Sequence, residues 1–142
     1  MALESTGRTH WEGDLFNGSG VTSLDSGAAE AMQVTWKART EEHGGLTSPE
    51  ELIAAAHASC FSMAFSNGLA KNDTPPNSLD VTATATFVPG EGITTMLLEV
   101  VGDVDGISDE EFSELAAAAK DGCPVSQALA GNVDISITAR LA

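Results

Sequence analysis

The chain has 142 residues, 42% of them hydrophobic, which suits one globular domain with a core built without disulfides. Six Lys and Arg stand against 21 Asp and Glu, a formal net charge of −15. That balance excludes nucleic acid and anionic membrane as partners, because both demand a basic face, and it favours solubility.

The N-terminal stretch MALESTGRTHWEGD carries neither an apolar segment nor a cleavage pattern. No uninterrupted apolar run reaches the ~20 residues of a membrane span. The expectation is a cytoplasmic protein, where a lasting structural disulfide is disfavoured. Two cysteines there read as free thiols, metal ligands or a redox pair.

In chain order, residues 6–40 read as strands. RTHWEGDLFNGSGVTSLDSG predicts a hairpin, and EAMQVTWKART alternates as a half-buried strand with Arg39 at its polar end. Trp11 and Trp36 read as core. A helix follows over 48–70. Ser48 is its cap, Pro49 its first residue, and Glu51 completes a capping box. Ile53, Ala56, Cys60, Met63 and Ala64 recur on one stripe of that helix, flanked by small residues. Residues 78–105 form two strands turning at Pro89-Gly90. Residues 108–130 form two helices, the first capped by Ser108 with Glu111 in a second box. Residues 132–141 form a last strand. The predicted class is α+β, a mostly antiparallel sheet with helices on one side.

Cys60 alone reads as packing. Cys123 adds to the picture: Pro124 at the first helical position makes Cys123 the cap, where unpaired N–H groups favour a thiolate. Cys60, about ten residues into its helix, lies beyond the reach of the dipole and needs a cation. Arg39 is the best placed of six, with Glu50 as the carboxylate that would orient it. His57, one turn before Cys60, is open between a Cys–His pair and a partly buried polar residue near the interface. His57, Cys60 and Cys123 could also be three metal ligands, though without close ligand spacing.

TSPEELIAAAHASCFSMAFS and DGCPVSQALAGNVDISITARL together resemble the two cysteine motifs of the OsmC/Ohr family, osmotically inducible and organic hydroperoxide resistance proteins. The wording AAHASCFSMA, and an arginine at Arg39 with none in the hairpin segment GDLFNGSG, resemble the OsmC branch. The resemblance covers nearly the whole chain. It implies an intertwined homodimer with a long central Cys-bearing helix and a second helical pair. It implies a thiol peroxidase that reduces organic hydroperoxides, and hydrogen peroxide more weakly, without metal or organic cofactor. Cys60 would be peroxidatic and Cys123 resolving, with Arg39 stabilising the thiolate and Glu50 orienting Arg39. A dithiol would restore the thiols, a lipoyl-bearing protein being the candidate donor. Phe61, Met63 and Phe65 would contribute to an apolar pocket.

Two other readings compete. One is a non-enzymatic, stress-related binding protein with its thiols retained for packing; the other is a Cys/His metal-binding protein. An unbroken helix would separate Glu50 from Cys60 by about 15 Å. The expectation is therefore that Glu50, with Arg39, reaches Cys60 of a second subunit.

Overall fold

The computed structural model describes residues 1–142. The chain divides into two compact units, Met1–Leu52 and Ile53–Ala142.

In the first unit, β1 (Gly7–Glu12), β2 (Ser19–Leu24) and β3 (Met32–Val34) form an antiparallel sheet in that order. The β1–β2 loop is closed by Asp14, whose Oδ1 accepts the N–H groups of Phe16 and Asn17 at 2.9 and 3.0 Å. Such an Asx turn substitutes a side chain for backbone pairing. The strand expected to run through residue 40 stops at Val34. Thr35 accepts the N–H of Ala38 at 3.0 Å and starts a short helix, α1 (Trp36–Thr40). A threonine cap thus overrides an alternating pattern. Arg39 sits in the last turn of α1, not at a strand end.

The second unit holds β4 (Ser78–Val88), β5 (Gly92–Asp103) and β6 (Asp134–Leu141), in that order in one sheet. The β4–β5 hairpin turns through Gly90 and Gly92, at φ +87° and +97°, conformations that glycine adopts freely. β6 pairs parallel with β5, Thr95 opposite Asp134 through Gly102 opposite Leu141. α3 (Asp109–Gly122) and α4 (Pro124–Leu129) make the crossover that a parallel pair requires. The α+β class holds, but the strands form two three-stranded sheets.

The helix α2 (Pro49–Lys71) starts in the first unit and runs unbroken through the second. Each predicted capping box is half made. Ser48 and Ser108 accept the N–H of Glu51 and Glu111, at 3.1 and 3.2 Å. The carboxylates, however, go elsewhere: Glu51 accepts the Thr47 hydroxyl at 2.6 Å, and Glu111 accepts the Asn72 amide at 3.1 Å.

By length and mean hydropathy α2 is long and apolar enough to cross a membrane, although His57, Ser59, Ser62 and Ser66 interrupt its apolar runs. Its apolar face is committed to a core instead. Phe61, Phe65 and Leu69 are fully buried with Leu98 and Val100 of β5 and Phe112 of α3. The phenylalanines stack in series, Phe61 to Phe65 at 5.5 Å and Phe65 to Phe112 at 5.0 Å between centroids. The buried face is Ala54, His57, Phe61, Phe65 and Leu69, so the expected stripe is rotated. Ala56 and Met63, members of that stripe, are exposed.

Phe112 also packs on Gly102. A Cβ there would lie 2.5 Å from the ring, which is fully buried and has nowhere to turn. Gly102→Ala should therefore destabilise the protein by about 1–3 kcal/mol, read as a lower denaturation midpoint at unchanged m value.

Candidate functional site

Two groups of chemically capable residues emerge, one in each unit. In the first, Arg39 of α1 meets Glu50 in the first turn of α2. Arg39 Nε and Nη2 both donate to Glu50 Oε1, at 2.9 and 2.8 Å. The Glu50 side chain is only 8% exposed and that of Arg39 30%. Bonds from a guanidinium to a buried carboxylate are charge-assisted and rigid. Glu50 Oε2 is buried and meets no donor within the chain.

The guanidinium also lies over the Trp36 ring, 5.9 Å from its centroid, one helical turn away on α1. Beside it opens an apolar cavity of about 320 Å³ lined by Trp11, Leu15, Val34, Trp36, Arg39 and Leu52. Trp11 and Trp36, expected in a core, are therefore walls of a cavity. Phe16 meets Trp36 edge to face at 6.1 Å.

The second group joins α2 to α4. Cys60, half-buried, and Cys123, fully buried, are both free thiols and face each other. Cys123 does cap α4, with Pro124 following, as the sequence predicts. Its sulfur makes no formal capping bond, yet it feels the nearby N–H groups. Burial pushes the Cys123 thiol up. The N–H of Ser126, the Cys60 thiol, the N–H of Val125 and the Ser126 hydroxyl outweigh that and hold it below the ordinary thiol value. Cys60 is pushed the other way, first by burial and then by Cys123, with only the Val125 N–H favouring its thiolate. Within this unit, then, Cys123 is the more acidic thiol.

His57 does not pair with Cys60. It is fully buried and its Nε2 lies 2.7 Å from Ser126 Oγ. Burial lowers its pKa and favours the neutral ring. Ser126 escaped the sequence reading, although it stands one turn after Cys123 as His57 stands one turn before Cys60. No group of three His, Cys, Asp or Glu side chains converges to hold a metal. Phe61 and Phe65, proposed as pocket residues, are core; Met63 is 70% exposed.

The comparisons agree with the two cysteine motifs. A family model described as OsmC-like protein matches residues 42–138. Peroxiredoxin OsmC of Escherichia coli is 39% identical over 138 residues, 95% of this chain and 96% of that protein. Organic hydroperoxide resistance protein OhrA of Bacillus subtilis is 31% identical, over 89% of this chain and 86% of that protein. Among solved structures, an organic hydroperoxide resistance protein OsmC from Legionella pneumophila superposes with a TM-score of 0.76 at 23% identity, covering 99% of this chain and 98% of that one. OhrB of Bacillus subtilis gives 0.70 at 23% identity, covering 95% and 98%. With its sequence matched to the family over most of its length and its fold shared across nearly all of it, the chain belongs to the OsmC-like family.

Proposed function

We propose that the protein is a two-cysteine peroxidase that reduces organic hydroperoxides to alcohols. The observation that carries this reading is the pairing of Cys60 with Cys123 in a chain 39% identical to a peroxiredoxin.

The Cys60 thiolate attacks the distal peroxide oxygen. The O–O bond breaks, the alkoxide takes a proton and leaves as alcohol, and Cys60 becomes a sulfenic acid. The Cys123 thiolate attacks that sulfur. The S–O bond breaks, hydroxide takes a proton and leaves as water, and a disulfide joins the two residues. A dithiol then exchanges with the disulfide, becomes oxidised itself and returns both thiols. A lipoyl-bearing protein fits the requirement for a dithiol donor. A reducing cytoplasm would keep both thiols free between turnovers.

This chemistry needs a Cys60 thiolate, and burial opposes one. Arg39 is the proposed source of the missing charge, with Glu50 fixing its orientation. Ten residues of continuous helix separate Glu50 from Cys60, about 15 Å along the axis. The reading therefore takes Arg39 and Glu50 from a second copy of the chain. The exposed Ala55, Ser59 and Met63 on one side of α2 support a homodimer. The cavity beside Arg39 would take the alkyl group of the peroxide, since buried methylenes gain about 0.8 kcal/mol each.

The test is peroxide consumption with dihydrolipoamide as reductant. Cumene hydroperoxide should turn over at least about tenfold faster than hydrogen peroxide, the margin that two buried methylenes supply. Equal rates would remove the apolar subsite from the account. No turnover of either would remove the peroxidase.

A further inference from the structure

The peroxidase scheme uses four residues and leaves a fifth titratable group unexplained at the centre of the second unit. His57 is completely buried, bonded through Nε2 to Ser126 Oγ at 2.7 Å, and its Nδ1 is buried without a partner. His57 and Ser126 are 69 residues apart in sequence. Each lies one helical turn from a cysteine, His57 before Cys60 on α2 and Ser126 after Cys123 on α4. The histidine–serine contact therefore runs alongside the cysteine–cysteine contact.

The orphaned nitrogen fixes the direction of the hydrogen bond. A proton on Nδ1 would be a buried N–H with no acceptor, which folded proteins rarely tolerate. A lone pair on Nδ1 is the lesser penalty. Burial also disfavours the charged ring, which would carry that same proton. The proton therefore belongs on Nε2, and Nε2–H donates to Ser126 Oγ. The Ser126 hydroxyl keeps its own proton to give, and Cys123, the N-cap three residues earlier on α4, is the neighbouring group whose thiolate form that proton favours.

We infer that His57 and Ser126 are positioning residues for Cys123: His57 Nε2–H donates to Ser126 Oγ, and the Ser126 hydroxyl donates to the Cys123 sulfur. Without His57 the serine rotor would be free to turn to a backbone carbonyl one turn earlier. With it, the hydroxyl is aimed. The role in turnover rests on the proposed peroxidase reading. There Cys123 is the attacking thiolate when the disulfide closes and the departing thiolate when a reductant attacks Cys60 and opens it. A donor held on its sulfur favours the thiolate in both steps.

The test needs no peroxide, so its outcome is separate from that of the peroxidase assay. A Cys60→Ser background leaves Cys123 as the single thiol, and thiolate absorbance at 240 nm is followed against pH. Adding Ser126→Ala or His57→Leu should raise the titration midpoint and cut the thiolate fraction at pH 7 by about tenfold, the loss of one hydrogen bond to an anion. Ser126→Thr, which keeps the hydroxyl, and His57→Gln, whose amide can still donate, should stay within about twofold. Circular dichroism checks that each variant is folded. Should Ser126→Ala fail to fold, the double apolar variant with His57→Leu, which leaves no orphaned donor, serves in its place. An unchanged midpoint in a folded Ser126→Ala or His57→Leu protein, or an equal rise in the Thr and Gln variants, would overturn the inference.

Discussion

Cys60→Ser should lower peroxide reduction by about 10⁴-fold or more, the size of effect seen when a nucleophile is lost. A serine hydroxyl ionises far above neutral pH and cannot pass through a sulfenic acid, so no second route remains. Cys123→Ser should behave differently. Its Cys60 still reacts once, and each chain should consume one equivalent of tert-butyl hydroperoxide and then stop, with a sulfenic acid that dimedone traps. Peroxide consumption by stoichiometric assay and the mass of the dimedone adduct read both results. Equal turnover in Cys60→Ser and wild type would assign the chemistry elsewhere. A trapped adduct on Cys123 in the wild-type protein would exchange the two roles. That second outcome has a physical basis, since in the isolated chain Cys123 is the thiol with the lowered pKa.

Arg39→Met should slow the peroxide step by about 10- to 100-fold, the kinetic equivalent of one or two charge-assisted hydrogen bonds. It also strands Glu50, whose side chain is 8% exposed and bonded to Arg39 through Nε and Nη2. Stability should fall with it, because a buried carboxylate without its partner is strongly unfavourable. The double variant Arg39→Met, Glu50→Gln should recover much of that stability without recovering activity. This separates the kinetic role from the structural one. Mixing chains then tests the proposed dimer. Unfolded and refolded together, Arg39→Met and Cys60→Ser chains should give about one quarter of wild-type activity, since half the dimers carry one intact composite site. Refolded alone, Cys60→Ser should stay inactive and Arg39→Met should keep only its own slowed rate. No recovery in the mixture would return Arg39 to the Cys60 of its own chain.

How much of this was legible in the sequence differs by element. The helix carrying Cys60 was readable because its start has a serine cap, a proline and two glutamates, all local signals. Cys123 as the cap of α4 was readable for the same reason. The end of β3 was misread because one hydroxyl, that of Thr35, redirects the backbone while Trp36 and Ala38 continue the alternation. The buried face of α2 is hard to read because its alanines fall on buried and exposed sides of the helix alike. Small side chains mark no face, and the three aromatic and aliphatic anchors Phe61, Phe65 and Leu69 decide it. Those same anchors made Phe61 and Phe65 look like pocket residues.

Charge and position alone pair Arg39 with Glu50, and the structure joins them at 2.8 Å. Ser126 was beyond reach, because a serine three residues after a cysteine has no meaning until a histidine 69 positions away is packed against it. The parallel register of β6 was equally silent in its residues. An alternating strand looks the same whichever neighbour it joins.

The most direct measurement is intact mass with a free-thiol count, before and after one equivalent of tert-butyl hydroperoxide is added to the reduced protein. The account predicts loss of both thiols within minutes and a mass lower by about two units, one disulfide within each chain. Two thiols still free and an unchanged mass would contradict it, and would leave Cys60 and Cys123 as packing residues of the core.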